Sequence, residues 1–481
     1  MNKDILKAKL EKLANFKSAG IDPYPEKTNR SFTNNDALKK FSSIKKSIFL
    51  VGRIRSIREM GNVSFAHIQD ETGKIQIFLS KENIGKEKYK FFIKNIDIGD
   101  FIEVKGNLFK TKSGEKTLKA ENWKILSKAL KPLPSEWYGF KDEDNKHRHR
   151  YLDILFNKEI KEIIKKKAVF WSAVREFHIK RGFLEVETPV LENTTGGADA
   201  KPFITHHNAL DIDLYLRISA GELWQKRLMV AGFEKTFEIG RIFRNEGMST
   251  EHLQDYTQCE AYSAYSNMEE MYKFLRDCYK FVAKKTFGTL KFNIRGFKVN
   301  LGKKWILIDY AAEIKKQTKI DIWRATDKEI AKRLNELKME FDANNKERMI
   351  DSLWKYSRKK IAGPAILINH PKRISPLAKA DKKNPDIVKR FQFIIAGSEI
   401  GQGYSELNDP IDQRERFEAQ QKLRDQGDEE AQMLDLEFVE ALEYGMPPTA
   451  GHGFSERLFS FLANKSIKEC QTFPLTKQKG K

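Results

Sequence analysis

Phe237-Glu238-Ile239-Gly240-Arg241-Ile242-Phe243-Arg244-Asn245-Glu246-Gly247 reads as a strand running into a polar string, with His252, Tyr256, Glu260 and Tyr262 following at short range. Upstream, residues 156 to 182 carry Ile160, Ile163, Ile164, Trp171, Val174 and Phe177 as an apolar stripe at helical spacing. Gly182 is placed to end that helix, and Phe183 to Pro189 is predicted to follow as a strand. Downstream, strand-like segments are separated by helices without a regular βαβ rhythm. That is the pattern of an α+β domain, here over 156–481, built on an antiparallel sheet flanked by helices. Residues 310–362 are richer in charged helix and read as an insertion. The chain has no GxxxxGK[ST] loop, no GxGxxG after a strand and no HRD or DFG set, so any nucleotide must be held by side chains.

The first half reads differently. Residues 1–45 form an N-terminal helical extension, with Ile5, Leu6, Leu10, Leu13 and Phe16 between lysines and a stop at Pro23 and Pro25. Over 46–128 short alternating strands take over, turned by Asp70-Glu71-Thr72-Gly73, Gly99-Asp100 and Ser113-Gly114, with a helix around Lys86 to Lys94. Five strands with a helix between the third and fourth predict an OB-fold β-barrel, a scaffold that binds single-stranded nucleic acid. Pro132, Pro134 and the polar run Lys141 to Arg150 mark a hinge over 129–155. The tail Thr476 to Lys481 is expected to be disordered.

Composition excludes several classes. No apolar run approaches the ~18 residues of a membrane span, and Met1-Asn2-Lys3-Asp4 does not open a secretory signal, so a cytoplasmic protein without membrane contact is expected. Cys259, Cys278 and Cys470 make neither a disulfide framework nor a CxxC zinc pair. The formal net charge of +21 suits a polyanionic partner, and it equally suits a Lys-rich composition that merely solvates the surface.

The Phe237 to Tyr262 segment resembles motif 2 of class II aminoacyl-tRNA synthetases, in the form found in lysyl-tRNA synthetases. Gly445-Met446-Pro447-Pro448-Thr449-Ala450-Gly451-His452-Gly453, leading to Glu456-Arg457, is similar to motif 3, although one residue short of the usual three-glycine pattern. Gly397 to Asp409 looks like the family segment that lines both ATP and amino acid, and the 156–189 helix and strand look like motif 1. The resemblance implies that Arg244 grips the α-phosphate and Arg457 the γ-phosphate as the catalytic pair. Glu246, His252 and Tyr256 would then hold the rest of ATP, and Glu399 would hold Mg2+ against the triphosphate. The acidic companion of Glu399 is Gln392 here, and Gln402 stands where asparagine is expected. Gly197, Glu222, Glu260, Tyr262, Gln402, Tyr404 and Glu406 fall on lysine-binding positions. An ammonium entering a desolvated pocket needs carboxylates, whereas an aspartate pocket would need Lys or Arg. The loop Ser219-Ala220-Gly221-Glu222 is one residue longer than the usual form, which leaves the register of Glu222 open.

In the barrel, Arg55, Phe65 and Gln76 match anticodon-binding positions, and by alternation alone Phe65 could equally be core. Motif 1 implies a homodimer. Together these imply ATP-dependent ligation of L-lysine to tRNA(Lys) through a lysyl-adenylate, with Mg2+. Three other readings stay open: an aspartyl- or asparaginyl-tRNA synthetase, a lysine-activating relative that modifies a protein, and a catalytically dead RNA-binding relative.

Overall fold

The computed structural model describes residues 3–133, 143–343 and 345–476. Of the hinge expected over 129–155, residues 134–142 lie outside the described residues, as does the tail beyond Thr476. The chain separates into two compact units, Met1–Lys141 and Asp142–Lys481.

The first unit opens with helices α1 (Lys3–Ser18) and α2 (Asn34–Lys39). The strands β1 (Ile48–Met60), β2 (Val63–Gln69), β3 (Lys74–Ser80), β4 (Phe101–Lys110) and β5 (Lys116–Ser127) close into a barrel of order β1-β2-β3-β5-β4. Two short helices, α3 (Lys81–Ile84) and α4 (Lys86–Asn95), stand between β3 and β4 where one was expected. Side chains alternate across each strand, so Ser64, Ala66 and Ile68 of β2 point inward while Val63, Phe65 and His67 point out. The alternation therefore takes Phe65 out of the barrel core.

The second unit continues with α5 (Glu143–Arg148), α6 (Arg150–Phe156), α7 (Lys158–Ile179), β6 (Leu184–Glu185), β7 (Leu191–Glu192), β8 (Ile204–His207), β9 (Ile212–Leu216) and α8 (Glu222–Val230). Next come β10 (Lys235–Phe243), β11 (Asp255–Ala264), α9 (Met268–Phe287), β12 (Lys291–Ile294), β13 (Phe297–Asn300), β14 (Ile306–Asp309), α10 (Tyr310–Thr318), α11 (Asp327–Glu336) and α12 (Lys346–Arg358). The unit ends with β15 (Ala365–Pro371), β16 (Ile387–Ile395), β17 (Ser398–Ser405), α13 (Pro410–Asp425), α14 (Leu436–Glu443), β18 (Thr449–Ser455) and α15 (Arg457–Leu462). The strand expected over Phe183 to Pro189 is cut to two residues, because only Leu184 and Glu185 find partners, on β10.

An eight-stranded sheet of order β14-β15-β16-β17-β18-β11-β10-β6 organises this unit, antiparallel except at its two ends. Cys259, Ala261, Ala450 and Phe454 on one face pack against Phe170, Phe177, Leu275 and Tyr279 of α7 and α9. Alternation sends Gln258, Glu260 and Tyr262 of β11 to the opposite face, where the polar chemistry collects. Helices α10 to α12 build a second core with β15, centred on Tyr310, Leu353, Trp354 and Leu367. Among the described residues no helix is long and apolar enough to cross a membrane.

Candidate active site

Strand register brings the site together. Gln402 lies beside Gly453, which pairs with Glu260, and Tyr404 lies beside Gly451, which pairs with Tyr262. Two rows of side chains thus cross the open face of the sheet with glycines between them. The glycine at 451 is obligatory, because a Cβ there would fall 2.4 Å from the Tyr262 ring and 2.6 Å from Glu406 Oε1. In β17 the extra residue Ile400 makes a bulge, which puts Glu399 on the same cleft as Gln402 and Tyr404 despite their odd spacing.

The cleft has a volume of about 710 Å³, and Gly197, Arg244, Tyr256, Glu399, Gln402, Tyr404 and Arg457 all line it. Arg244 follows the last residue of β10; its Nε and Nη2 donate to the Ile218 carbonyl at 3.2 Å, and its guanidinium lies 5.8 Å from the Tyr256 ring centre. Arg457 heads α15 and reaches the same cleft despite the shortened glycine strand. Its Nη1 is 3.6 Å from Glu251 Oε2, and Glu251 is also paired with Arg295 and accepts from Ser398 Oγ at 3.0 Å. Glu246 and His252 do not line the cleft. His252 keeps an exposed edge, yet partial loss of water and the charges of Arg457, Arg358 and Arg244 push it down to about 4.

Behind the cleft sit Glu222, Glu260 and Glu406, only 4%, 3% and 1% exposed. Glu222 is the first residue of α8 and points inward, so the longer loop before it does not displace it; Gly221 absorbs the turn with φ +75°. Gly197, at φ +86°, brings the backbone so close that a Cβ would stand 2.7 Å from that of Glu222. Glu260 accepts from Ala220 N at 3.0 Å and from the Tyr262 hydroxyl at 3.1 Å. The Tyr404 hydroxyl donates to Glu222. Burial first, and then the neighbouring carboxylates, push both Glu260 and Glu406 up to about 8. A lysine, Lys226, lies inside the cluster with Nζ 2.7 Å from Glu222 Oε1 and 2.6 Å from Glu406 Oε2. Three acids against one base leave the pocket acidic.

At the other end of the cleft, Trp354 Nε1 donates to Glu399, and Arg358 Nε stands 4.0 Å from the same carboxylate. Gln392 is committed elsewhere, its Oε1 lying 3.0 Å from His370 Nε2. Arg390 Nη2 donates to Gln402 Oε1 at 2.5 Å. Among the described residues no three His, Cys, Asp or Glu side chains cluster to hold a metal unaided. Glu399, on the wall of the cleft that Arg244 and Arg457 also line, still fits magnesium, which is held by one or two carboxylates together with substrate phosphates.

Comparison with known proteins agrees with this geometry. Residues 142–477 match the family described as tRNA synthetases class II (D, K and N), and residues 48–126 match the OB-fold nucleic acid binding domain. A lysine-tRNA ligase of Thermotoga maritima is 41% identical over 488 residues, covering 100% of this chain and 97% of the relative. Lysine-tRNA ligases of Pelotomaculum thermopropionicum and a Thermoanaerobacter species are 42% and 43% identical, over 98% and 99% of this chain and 95% and 97% of their own. The chain belongs to the class II lysyl-tRNA synthetases.

In this synthetase several residues in and around the cleft escaped sequence reasoning. Lys226 is four residues after Glu222, a spacing that ordinarily reads as a solvated helix pair. Trp354 and Arg348 come from the 310–362 segment, whose helices form part of the cleft wall. Glu456 joins motifs 1, 2 and 3, since it is paired with Lys167 of α7, accepts from Thr257 N at 3.2 Å and directly precedes Arg457. On the barrel, Phe65 packs at a tilt against Phe78 with centroids 5.1 Å apart, and Phe78 meets Phe109 edge to face at 5.9 Å, an aromatic strip on the outer face. Gln76 lies on that face too, donating to Glu115 at 2.7 Å and accepting from Thr117 at 2.8 Å. Arg55 is on β1, also outward and half-buried.

Proposed function

We propose that this chain activates L-lysine with ATP and transfers it to tRNA(Lys). The carrying observation is the pocket of three buried glutamates opening beside a cleft that holds Arg244 and Arg457. In the first step a lysine carboxylate oxygen attacks the α-phosphorus, a P–O bond forms, and pyrophosphate leaves. In the second, the terminal ribose hydroxyl of the tRNA attacks the lysyl carbonyl, its proton is lost, and AMP departs. Arg244, anchored on the Ile218 carbonyl, gives a preorganised fork where charge builds on the α-phosphate. Arg457 takes the γ-phosphate and the Tyr256 ring takes adenine, while Glu246 and His252, outside the cleft lining, act on the nucleotide through the arginines whose charges they feel. The lysine ammonium goes to Glu222, Glu260 and Glu406, with Tyr262, Tyr404, Gln402 and the Gly197 backbone completing the pocket. Mg2+ arriving with ATP would be held by Glu399, and it supplies neutralisation of triphosphate charge.

The outward Phe65, Gln76 and Arg55 suit an unstacked anticodon base, which proteins read by stacking and edge hydrogen bonds. A homodimer is supported by the apolar side chains left exposed on the motif 1 elements, Val169, Ile179 and Leu184, and just after them, Val190 and Leu191. The test is ATP–pyrophosphate exchange with lysine, aspartate or asparagine, followed by charging of tRNA(Lys). Lysine alone is expected to stimulate exchange; stimulation by aspartate alone would overturn the assignment.

A further inference from the structure

Three carboxylates in mutual reach and out of water cannot all stay ionised without a cation among them. The protein supplies one itself. Lys226 is fully enclosed, bridges Glu222 and Glu406, and has the rings of Tyr404, Tyr262 and Phe438 at 5.4, 5.9 and 5.9 Å around its ammonium. Those rings stabilise the charge from their faces. The charged and titratable groups facing it are Glu222 from its own helix, Glu260 and Tyr262 from β11, and Tyr404 and Glu406 from β17 and the residue after it; Phe438 of α14 adds only a ring. Glu260 is already served by Ala220, Gln258 and Tyr262. Glu406 Oε1 is buried and has no hydrogen-bond partner, although its other oxygen is paired with Lys226.

We infer that Lys226 is a specificity-determining residue. It cancels one of three acidic charges, so that a single primary ammonium matches a second while the third carboxyl keeps its proton. The inference rests on the reading that this pocket takes the side-chain amine of lysine. Its consequence is an exchange of charge. With Glu222 and Lys226 forming a neutral pair, the remaining carboxyls hold protons until a substrate cation displaces one. Without Lys226 the positive charge that favours ionisation of Glu406 is gone, so the proton that the ammonium displaces is held more tightly, and lysine binds weakly at neutral pH and recovers as pH rises. Discrimination between lysine and norleucine, its uncharged analogue, narrows for the same reason.

The experiment is lysine-dependent ATP–pyrophosphate exchange by the full-length wild type, Lys226→Met and Lys226→Ala across neutral to mildly alkaline pH, with norleucine as competitor. Lys226→Met is expected to raise KM for lysine about tenfold or more at neutral pH, with KM for ATP unchanged and the defect shrinking as pH rises. Ethylammonium added to Lys226→Ala is expected to restore part of the loss. A KM for lysine equal to wild type overturns the inference, and so does a rise that is the same at every pH and insensitive to ethylammonium, which would mark a packing role. Should the variants not fold, calorimetry of lysine binding to the wild type in buffers of different ionisation enthalpy decides instead. Proton release at neutral pH is required, and its absence overturns the inference. A wild type with no lysine-dependent exchange would refute the functional assignment, whereas wild-type exchange with unaltered variants refutes only the role of Lys226.

Discussion

Glu406 and Glu260 show how one residue type can serve opposite ends at two pH values. Both carboxyls are raised to about 8, burial being the largest cause. A folded-state carboxyl raised above its unfolded value binds more protons in the native state across the interval, so its stability contribution is present at low pH and lost as pH rises through the folded value. Thermal unfolding without ligand is therefore expected to show stability falling between about pH 5 and 8 relative to Glu260→Gln, and saturating lysine should flatten the difference. A profile unchanged by Glu260→Gln would refute this. Arg244 makes a second prediction at the same scale. Lysine cannot reproduce a planar fork that holds the Ile218 carbonyl and a phosphate together, so Arg244→Lys should lower kcat of exchange by about 100-fold or more while leaving the melting temperature nearly unchanged. Residue types at the site were legible because phosphate and ammonium chemistry restrict them to Arg and Glu. Lys226 and Glu251 were not, because a charge on a helix or loop looks solvated until neighbouring strands enclose it.

At the scale of elements, the barrel was readable because its strands alternate strictly and their turns carry Gly and Asp, whereas β6 was over-read because a strand's length depends on partners elsewhere in the chain. The attachment of α1 to the barrel was only half visible: Phe16 of its apolar stripe enters the core beside Phe91 and Trp123, and the rest is a charge network. Lys128, with its side chain out of water, is 2.7 Å from Asp100 Oδ2 and 2.5 Å from Asp97 Oδ2, and Lys9 and Lys12 of α1 reach Asp97 at 3.1 and 2.7 Å. Burial opposes ionisation of Asp97, but hydrogen bonds from Lys12, Lys128 and Lys9 outweigh it and hold the carboxyl down to about 2. A depressed carboxyl stabilises the fold above its unfolded value and loses that effect as pH falls through the folded one, so α1 should loosen between about pH 4 and 2. Amide exchange along Lys3–Ser18 measures this, and Asp97→Asn should give the same exchange at neutral pH. Lys128→Met, which leaves the buried Asp100 without its cation and takes one of three from Asp97, should destabilise the unit by about 3–5 kcal/mol.

For the whole molecule the question is what the charge of +21 is for. Lysines that merely solvate a surface and lysines that meet phosphates are indistinguishable in a composition, and they differ in their response to salt. Contacts to nucleic acid release condensed counterions, so tRNA affinity should fall steeply as salt rises, by about tenfold or more between about 50 and 200 mM. The amino-acid pocket is built the other way, with its glutamates and Lys226 buried and therefore little screened by bulk ions. Charging of tRNA should consequently lose efficiency over that salt range through KM for tRNA, while lysine-dependent exchange at saturating ATP changes little. Parallel loss of both activities would mean that salt acts on the fold or on the nucleotide site. Equal insensitivity of both would mean that the lysines outside the pocket are a solvating coat. Steep loss of charging alone assigns the excess charge to contacts with the phosphates of tRNA.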